Sequence, residues 1–155
     1  MNTKKLCQFL ATAKKQTYAS GDKATKTVEK DKSTTITFEQ GDWRYHDNYF
    51  GGEPFGGREV VFFQGQPVYL MTYYGLVEKS VTDFAPVYAV LQKALIQIPE
   101  ARPFRGPEKF NEGDYSYTNT STGEIDDFFG QEVISRNGKV VYVAKYLGGL
   151  VDQRR

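Results

Sequence analysis

The sequence predicts an α+β fold in which two internally duplicated three-stranded antiparallel meanders form a twisted sheet, with about two helices packed on one face. Three observations predict it: an internal repeat, a tight-turn signal inside each copy, and two amphipathic segments outside the copies. At 155 residues the chain is long enough to bury a sizeable core without disulfides or metals. We therefore expect residues 1–155 to form a single domain.

The internal repeat defines two β-units. FEQGDWRYHDNYFG from Phe38 aligns with FNEGDYSYTNTSTG from Phe110, and further on FGGREVVFFQGQPVYLMTYYG aligns with FFGQEVISRNGKVVYVAKYLG. Fourteen aligned positions are identical, whereas chance gives about two or three at ordinary residue frequencies. The first copy spans residues 38–77 and the second spans residues 110–151.

The N-terminal segment, residues 1–33, predicts a helix followed by a polar loop. Apolar side chains recur at helical spacing in KKLCQFLATAKKQ, so residues 3–16 are expected to form a short amphipathic helix on the core. Residues 19–33 have no hydrophobic period and are expected to form a surface loop. The apolar run is too short and too broken for a signal peptide.

Each β-unit contains a hairpin signal. Gln64-Gly65 and Asn137-Gly138 lie between runs rich in Val, Tyr and Phe, which is the pattern of a tight turn between two strands. Alternating aromatic and polar residues at 42–49 and 114–120 add a third strand to each copy. Residues 36–38 either extend the first strand through a bulge or form a separate short strand.

The segment between the copies predicts the second helix. Residues 82–99 keep helical spacing of their apolar side chains, with Pro86 in the first turn and Pro99 at the end. The run RPFRGP that follows is a stiff connection into the second copy, because proline fixes its own φ and restricts the residue before it.

The two faces of the sheet differ in side-chain type, since alternate residues of a strand point to opposite sides. In the last strand of each copy one face is mainly aliphatic, and we expect the helices to pack there; its residues are Val68, Leu70, Tyr74, Val141, Val143 and Leu147. The opposite, aromatic face is expected to be uncovered and concave. Aromatic rings with polar tips suit a small-molecule groove, although the same rings are equally suited to completing a core. The candidate ligand-binding residues are Trp43, Tyr45, Asp47, Tyr49, Glu59, Tyr69, Tyr73, Tyr117, Glu132, Tyr142 and Tyr146.

Carboxyl groups recur at matched positions of the two copies. Glu59 and Glu132 correspond, and either of them with Asp47 forms a candidate acid and base pair for hydrolysis. The alternative interpretation places both glutamates at polar strand positions that face water. His46 is the only histidine and has no constellation of ligands around it, so no metal and no cofactor are predicted.

Composition and charge disfavour several classes of protein. Cys7 is the only cysteine, so no intrachain disulfide is possible and a reduced, cytoplasmic protein is expected. No apolar stretch is long enough to span a membrane. Eight lysines lie within residues 1–33 and the rest of the chain is mildly acidic, which argues against direct nucleic-acid binding by the main domain.

Several runs are distinctive as a set: GDWRYHDNYFGG, FGGREVV, GQPVYLMTYYG, FRGP, FGQEVI and GKVVYVAKYLGG. Together they resemble a bacterial domain family of unknown function that is often attached to an XRE-type helix-turn-helix DNA-binding domain. The resemblance extends from about Leu6 to Gly149 and implies a stand-alone copy of a sensor or effector module. It assigns no catalytic or binding residue. One helix and a loop precede the first β-unit, so we expect no helix-turn-helix in this chain.

Three hypotheses of function follow from these observations. The first is a small-molecule-binding or sensory module that uses the aromatic sheet face. The second is a hydrolytic enzyme with a carboxylate pair. The third is a protein-interaction module that forms a homodimer through a sheet edge or the aromatic face.

Overall fold

A computed structural model describes residues 2–17 and 26–152, and within them an antiparallel sheet of nine strands carries two helices on one face. The helices are α1 (Thr3–Gln16) and α2 (Ala85–Ile96). The strands are β1 (Lys26–Val28), β2 (Thr34–Gln40), β3 (Trp43–Gly51), β4 (Phe55–Phe63), β5 (Gln66–Val77), β6 (Lys109–Glu112), β7 (Tyr115–Glu124), β8 (Asp127–Arg136) and β9 (Lys139–Leu150). The predicted α+β class, with its twisted antiparallel sheet and helices on one face, is confirmed.

The first helix has the bounds that its sequence predicts. The Asn2 side chain caps it by accepting a hydrogen bond of 3.1 Å from the Lys5 backbone N–H. Its apolar side, which includes Leu6 and Leu10, is fully buried against the sheet. The amphipathic pattern therefore positions α1 correctly on the core.

The second helix is shorter than the predicted 82–99. It begins at Ala85, directly before Pro86, and ends at Ile96, before Pro99. Proline suits the first turn of a helix, whose N–H groups lack intrahelical partners, and the residues just before a proline are restricted in their backbone conformation. Neither helix of the described residues is long and apolar enough to cross a membrane.

Each half of the sheet is a four-stranded meander rather than the predicted three-stranded one. The strand order is β1-β2-β3-β4-β5-β9-β8-β7-β6, so β2–β5 form one half and β6–β9 the other. Residues 36–38 belong to the separate strand β2, because Gly41 has a φ of +59° and reverses the chain before β3. The predicted loop at 19–33 lies partly outside the described residues, and its described part contains β1.

The halves join through β5 and β9 in an antiparallel register centred on one matched pair of the repeat, Tyr73 and Tyr146. On either side of this pair the contacts are symmetric, because Tyr69 pairs with Leu150 as Val77 pairs with Tyr142. A register shift occurs at Val61/Phe62 between β4 and β5, and another at the matched position Ile134/Ser135 between β8 and β9. The two halves therefore share strand order and local geometry, whereas their origin by duplication stays a prediction.

The helices cover the aromatic face of the sheet, so the expectation that they cover the aliphatic face is wrong. Tyr69, Met71 and Tyr142 are buried in the core with the apolar sides of the helices, whereas Tyr74 and Leu147 on the other face are 54 % and 61 % exposed. A tyrosine ring buries a large apolar area. The Tyr142 hydroxyl donates to Glu132, whereas the Tyr69 hydroxyl has no hydrogen-bond partner among the described residues. We call the helix-covered side the inner face and the opposite side the outer face.

Candidate functional site

All eleven candidate residues lie on the inner face, where the strands β3, β4, β5, β7, β8 and β9 bring them together. Nine are buried, and Trp43 and Tyr49 are partly buried. Trp43 contributes to packing, because its ring stacks on Phe9 of α1 at a centroid distance of 5.4 Å. The expectation of a broad, uncovered aromatic groove is wrong, since most of these rings complete the core beneath the helices.

A polar cluster occupies the inner face of the first half. Asp47 and Glu59 are directly opposite each other on β3 and β4 and are 1 % and 3 % exposed, so the interpretation that Glu59 faces water is also wrong. Lys14 of α1 lies with its Nζ 2.7 Å from Glu59 Oε2, and the same ammonium donates a hydrogen bond of 2.6 Å to the Phe104 carbonyl oxygen. A buried ion pair therefore connects α1 to the sheet.

The Tyr73 hydroxyl completes this cluster by donating a hydrogen bond of 2.6 Å to Asp47 Oδ1. Its ring reaches Asp47 across Gly57, where an added Cβ would lie 2.7 Å from the Tyr73 hydroxyl oxygen. A side chain at that position would therefore displace the tyrosine. The other carboxylate oxygen, Asp47 Oδ2, has no hydrogen-bond partner among the described residues.

A corresponding cluster occupies the second half. Arg105, which precedes β6, donates through Nε and Nη2 to Glu132 Oε1 at 2.9 and 2.6 Å. The hydroxyls of Tyr117 and Tyr142 donate to the two oxygens of Glu132 at 2.7 and 3.1 Å. Glu132 is completely buried, so the interpretation that it faces water is wrong. Its charge is neutralised by one guanidinium, and its oxygens also accept hydrogen bonds from two phenols.

The two clusters differ at one matched position. Tyr73 donates to the carboxylate of Asp47, whereas Tyr146 donates to the amide oxygen Oδ1 of Asn119 at 2.7 Å. Asn119 also donates through Nδ2 to the Gly106 carbonyl oxygen at 2.9 Å. The first half thus holds a buried acid where the second half holds a neutral amide.

The pKa of Asp47, the buried acid that the second half lacks, is shifted from its ordinary value. Burial, and next the negative charge of Glu59, raise the pKa of Asp47 to about 7. The hydrogen bond from Tyr73 and the charges of Arg105 and Lys14 act in the opposite direction. Burial lowers the pKa of Lys14, although Glu59 opposes this shift. Burial also raises the pKa of Tyr45 and Tyr69.

A cavity of about 290 Å³ lies beside the first cluster, between the inner face and α2. Among the described residues, the aromatic side chains that line it are Tyr49, Phe55, Tyr73 and Tyr88. Leu91 and Gln92 of α2 form part of its wall. Of the eleven candidate residues, Tyr49 and Tyr73 line this cavity, and Asp47 lies behind the Tyr73 hydroxyl.

The part of the chain that matches a known family begins at Asp47, the acid of this site. A family model described as a domain of unknown function, DUF5680, matches residues 47–151. The chain belongs to the DUF5680 family. No curated protein and no solved structure gives a significant match. The DUF5680 match includes the segments with Asp47, Glu59, Tyr73, Arg105 and Glu132, and it excludes α1 with Lys14.

The two buried cations of the described residues, Lys14 and Arg105, were missed at the level of the sequence. Lys14 follows the apolar positions of α1 at helical spacing and lies on the buried side of that helix, which is a signal that was available in the sequence. Arg105 lies in an irregular connection without periodicity, so only its tertiary contact with Glu132 reveals it. The place of Tyr88 and Phe55 at the cavity depends on how α2 crosses the sheet, which no local pattern specifies.

The pair Asp47 and Glu59 resembles a catalytic acid and base pair, but the cavity next to Glu59 is small. Asp47 and Glu59 are adjacent, and a raised pKa on one of two neighbouring carboxyls is typical of acid and base pairs in hydrolases. The cavity bordered by Glu59, Lys14, Phe104 and Arg105 measures only about 10 Å³, which is room for about one water molecule. This space borders Glu59 but not Asp47, and it is too small for an organic substrate. Among the described residues, no group of three His, Cys, Asp or Glu side chains is arranged to hold a metal ion.

Proposed function

We propose that this protein is a small-molecule-binding, sensory module whose ligand occupies the cavity between the inner face and α2. The observation that carries the proposal is the composition of this cavity: four aromatic side chains surround about 290 Å³, beside a buried acid. Ligand sites in proteins are typically concave, mainly apolar, and supplied with a few polar groups that fix orientation. This volume is at the small end of such sites and suits a compact ligand.

The mode of sensing follows from the elements that form the cavity wall. Tyr88 belongs to α2, while Tyr49 and Tyr73 belong to β3 and β5. A ligand that contacts all three stabilises one position of α2 relative to the sheet, because binding to the folded state adds to its stability. The position or rigidity of α2 is therefore the signal that a partner protein would detect.

The sequence resemblance supports the same role. Domains of the family that this sequence resembles are often attached to an XRE-type DNA-binding domain, where a ligand-binding domain would act as the sensor. On this proposal the protein is a bacterial, cytoplasmic sensor domain that does not itself bind nucleic acid or membranes. This assignment rests on analogy between fused and stand-alone domains.

Homodimer formation is a second candidate role, supported by the outer face. Phe129 and Leu147 are cross-strand neighbours on β8 and β9 and are 60 % and 61 % exposed, with Tyr74 also exposed on the adjacent strand β5. Exposed apolar groups that are contiguous across strands are typical of contact surfaces between chains. The homodimer would use this outer face and not the aromatic face, which the helices cover.

Blocking the cavity tests the proposed function. A screen of metabolites by thermal shift is expected to yield compounds that raise the melting temperature of the wild-type protein by a few degrees. Replacing Gln92, an exposed residue at the cavity wall, with tryptophan is expected to abolish these shifts because the indole fills the cavity mouth. Ala89→Trp is the matched control, since Ala89 is exposed on the same helix but does not line the cavity. Shifts that persist in Gln92→Trp, or a screen without any stabilising compound, would contradict the proposal.

A further inference from the structure

Four aromatic rings line the cavity. The Phe55 ring packs against two of the others, with its centroid 6.1 Å from that of Tyr73 and 6.2 Å from that of Tyr88, and both pairs are tilted. Tyr49 completes the set from strand β3. The faces of aromatic rings carry negative electrostatic potential, so several rings around one space attract a positive charge placed there.

Two of these tyrosines are polarised by carboxylates behind them. The Tyr73 hydroxyl donates to Asp47, and the Tyr88 hydroxyl donates to Glu53 Oε2. A phenol that donates to a carboxylate gains electron density in its ring, which strengthens its attraction for a cation. The two acids also direct negative potential toward the cavity from different sides.

Of the three buried acids among the described residues, Asp47 alone has no cation partner. Lys14 pairs with Glu59, and Arg105 pairs with Glu132. Asp47 forms no ion pair among the described residues, and its Oδ2 atom has no hydrogen-bond partner there. Among the buried groups of the described residues, two cations therefore face three acids, and above pH 7, where Asp47 is ionised, one further positive charge would balance them.

Three cations of the described residues oppose this attraction, and each is paired or screened. The Arg105 guanidinium lies 5.7 Å from the centroid of the Tyr73 ring, but its charge is offset by the buried Glu132 at 2.6 Å. Lys14 acts on Asp47, but its ammonium is paired with Glu59 at 2.7 Å. Lys26 lines the cavity at an exposed position, where water screens its charge.

We propose that the cavity binds a small organic cation, with an alkylammonium group seated among Tyr49, Phe55, Tyr73 and Tyr88. This inference rests on the proposed function and specifies its ligand class. A quaternary ammonium group matches the site because it presents a diffuse, weakly hydrated charge and apolar methyl groups to the rings. About 290 Å³ accommodates a molecule of the size of choline. An organic anion of equal size is disfavoured by the carboxylates of Asp47 and Glu53.

The test compares two molecules of the same shape and different charge. Isothermal titration with choline chloride and with its neutral isostere 3,3-dimethyl-1-butanol, at constant ionic strength, is expected to show at least about fivefold tighter binding of choline. Tyr49→Leu is expected to remove this preference, because leucine keeps the apolar contact but lacks a ring. Tyr49→Phe, the matched control, is expected to retain it.

The outcomes separate this inference from the proposed function. Equal or tighter binding of the neutral isostere, an unchanged preference in Tyr49→Leu, or no binding of choline at millimolar concentrations would overturn the cation inference. A neutral or acidic metabolite that binds and is excluded by Gln92→Trp would leave the ligand-binding function standing without it. If no compound of any charge binds, both proposals are overturned.

Discussion

Replacing Arg105 with methionine is expected to lower the free energy of unfolding by about 3–5 kcal/mol, because it leaves the Glu132 carboxylate buried without its cation. The hydroxyls of Tyr117 and Tyr142 still donate to that carboxylate, but phenols do not neutralise its charge. A loss of this size is a large part of the stability of an ordinary domain. Urea unfolding monitored by far-ultraviolet circular dichroism measures it.

Two further variants control this experiment. Arg136→Met removes an exposed ion pair with Asp114 and is expected to change stability little. The double variant Arg105→Met, Glu132→Gln removes both charges and is expected to recover much of the loss, which keeps the test informative even if the single variant fails to fold. A loss in Arg105→Met no greater than in Arg136→Met would contradict the role of the buried pair.

Replacing Asp47 with asparagine is expected to stabilise the protein at pH 8 by about 1–3 kcal/mol and to flatten its dependence on pH. The pKa of Asp47 is about 7 in the folded protein and near the ordinary value of about 4 when unfolded, so between these values the folded state binds more protons. The free energy of unfolding therefore falls as the pH rises from about 4 to 7, and Asp47 has no further effect above that range. The amide fits such a site, as Asn119 shows at the matched position of the second half.

The reciprocal variant Asn119→Asp is the matched control. It introduces a carboxylate next to the Glu132 cluster and is expected to destabilise the protein at pH 8 more than at pH 5. Chemical unfolding of wild type and both variants at a series of pH values provides the measurement. The groups that act on Asp47 are Glu59, Tyr73, Arg105 and Lys14, and all four residues are retained in Asp47→Asn, so the difference between the profiles reports Asp47 together with its effect on these neighbours. Parallel profiles of the wild type and Asp47→Asn would contradict a raised pKa.

The elements that depend on local pattern could be predicted from the sequence. The repeat, the turn at Gln64-Gly65 and the turn at Asn137-Gly138 predict where strands reverse, because positive φ at these positions favours a few residue types. The spacing of apolar residues predicts both helices. The strand β1 was missed because residues 26–28 carry no buried side chain. They form an edge strand that pairs with β2 alone.

The features that depend on tertiary contacts could not be predicted in the same way. The alternation of side-chain type along β5 and β9 distinguishes two faces of the sheet. It does not indicate which face the helices cover, because both faces contain large side chains. The tyrosine face is buried because Lys14 and Arg105 supply charges for its glutamates, and these cations come from outside the β-units. The cavity depends further on the position of Tyr88 above Phe55, which no spacing in the sequence encodes.

A ligand site between the inner face and α2 can be located by tyrosine-specific NMR. In a protein labelled with carbon-13 in its tyrosine rings, a compound from the metabolite screen, or choline, is titrated and the ring resonances are followed. We expect shifts of Tyr49, Tyr73 and Tyr88, which line the cavity, with little change at Tyr115 and Tyr117 in the second half. Shifts confined to the second half or to Tyr74 on the outer face, with the three cavity tyrosines unchanged, would contradict it.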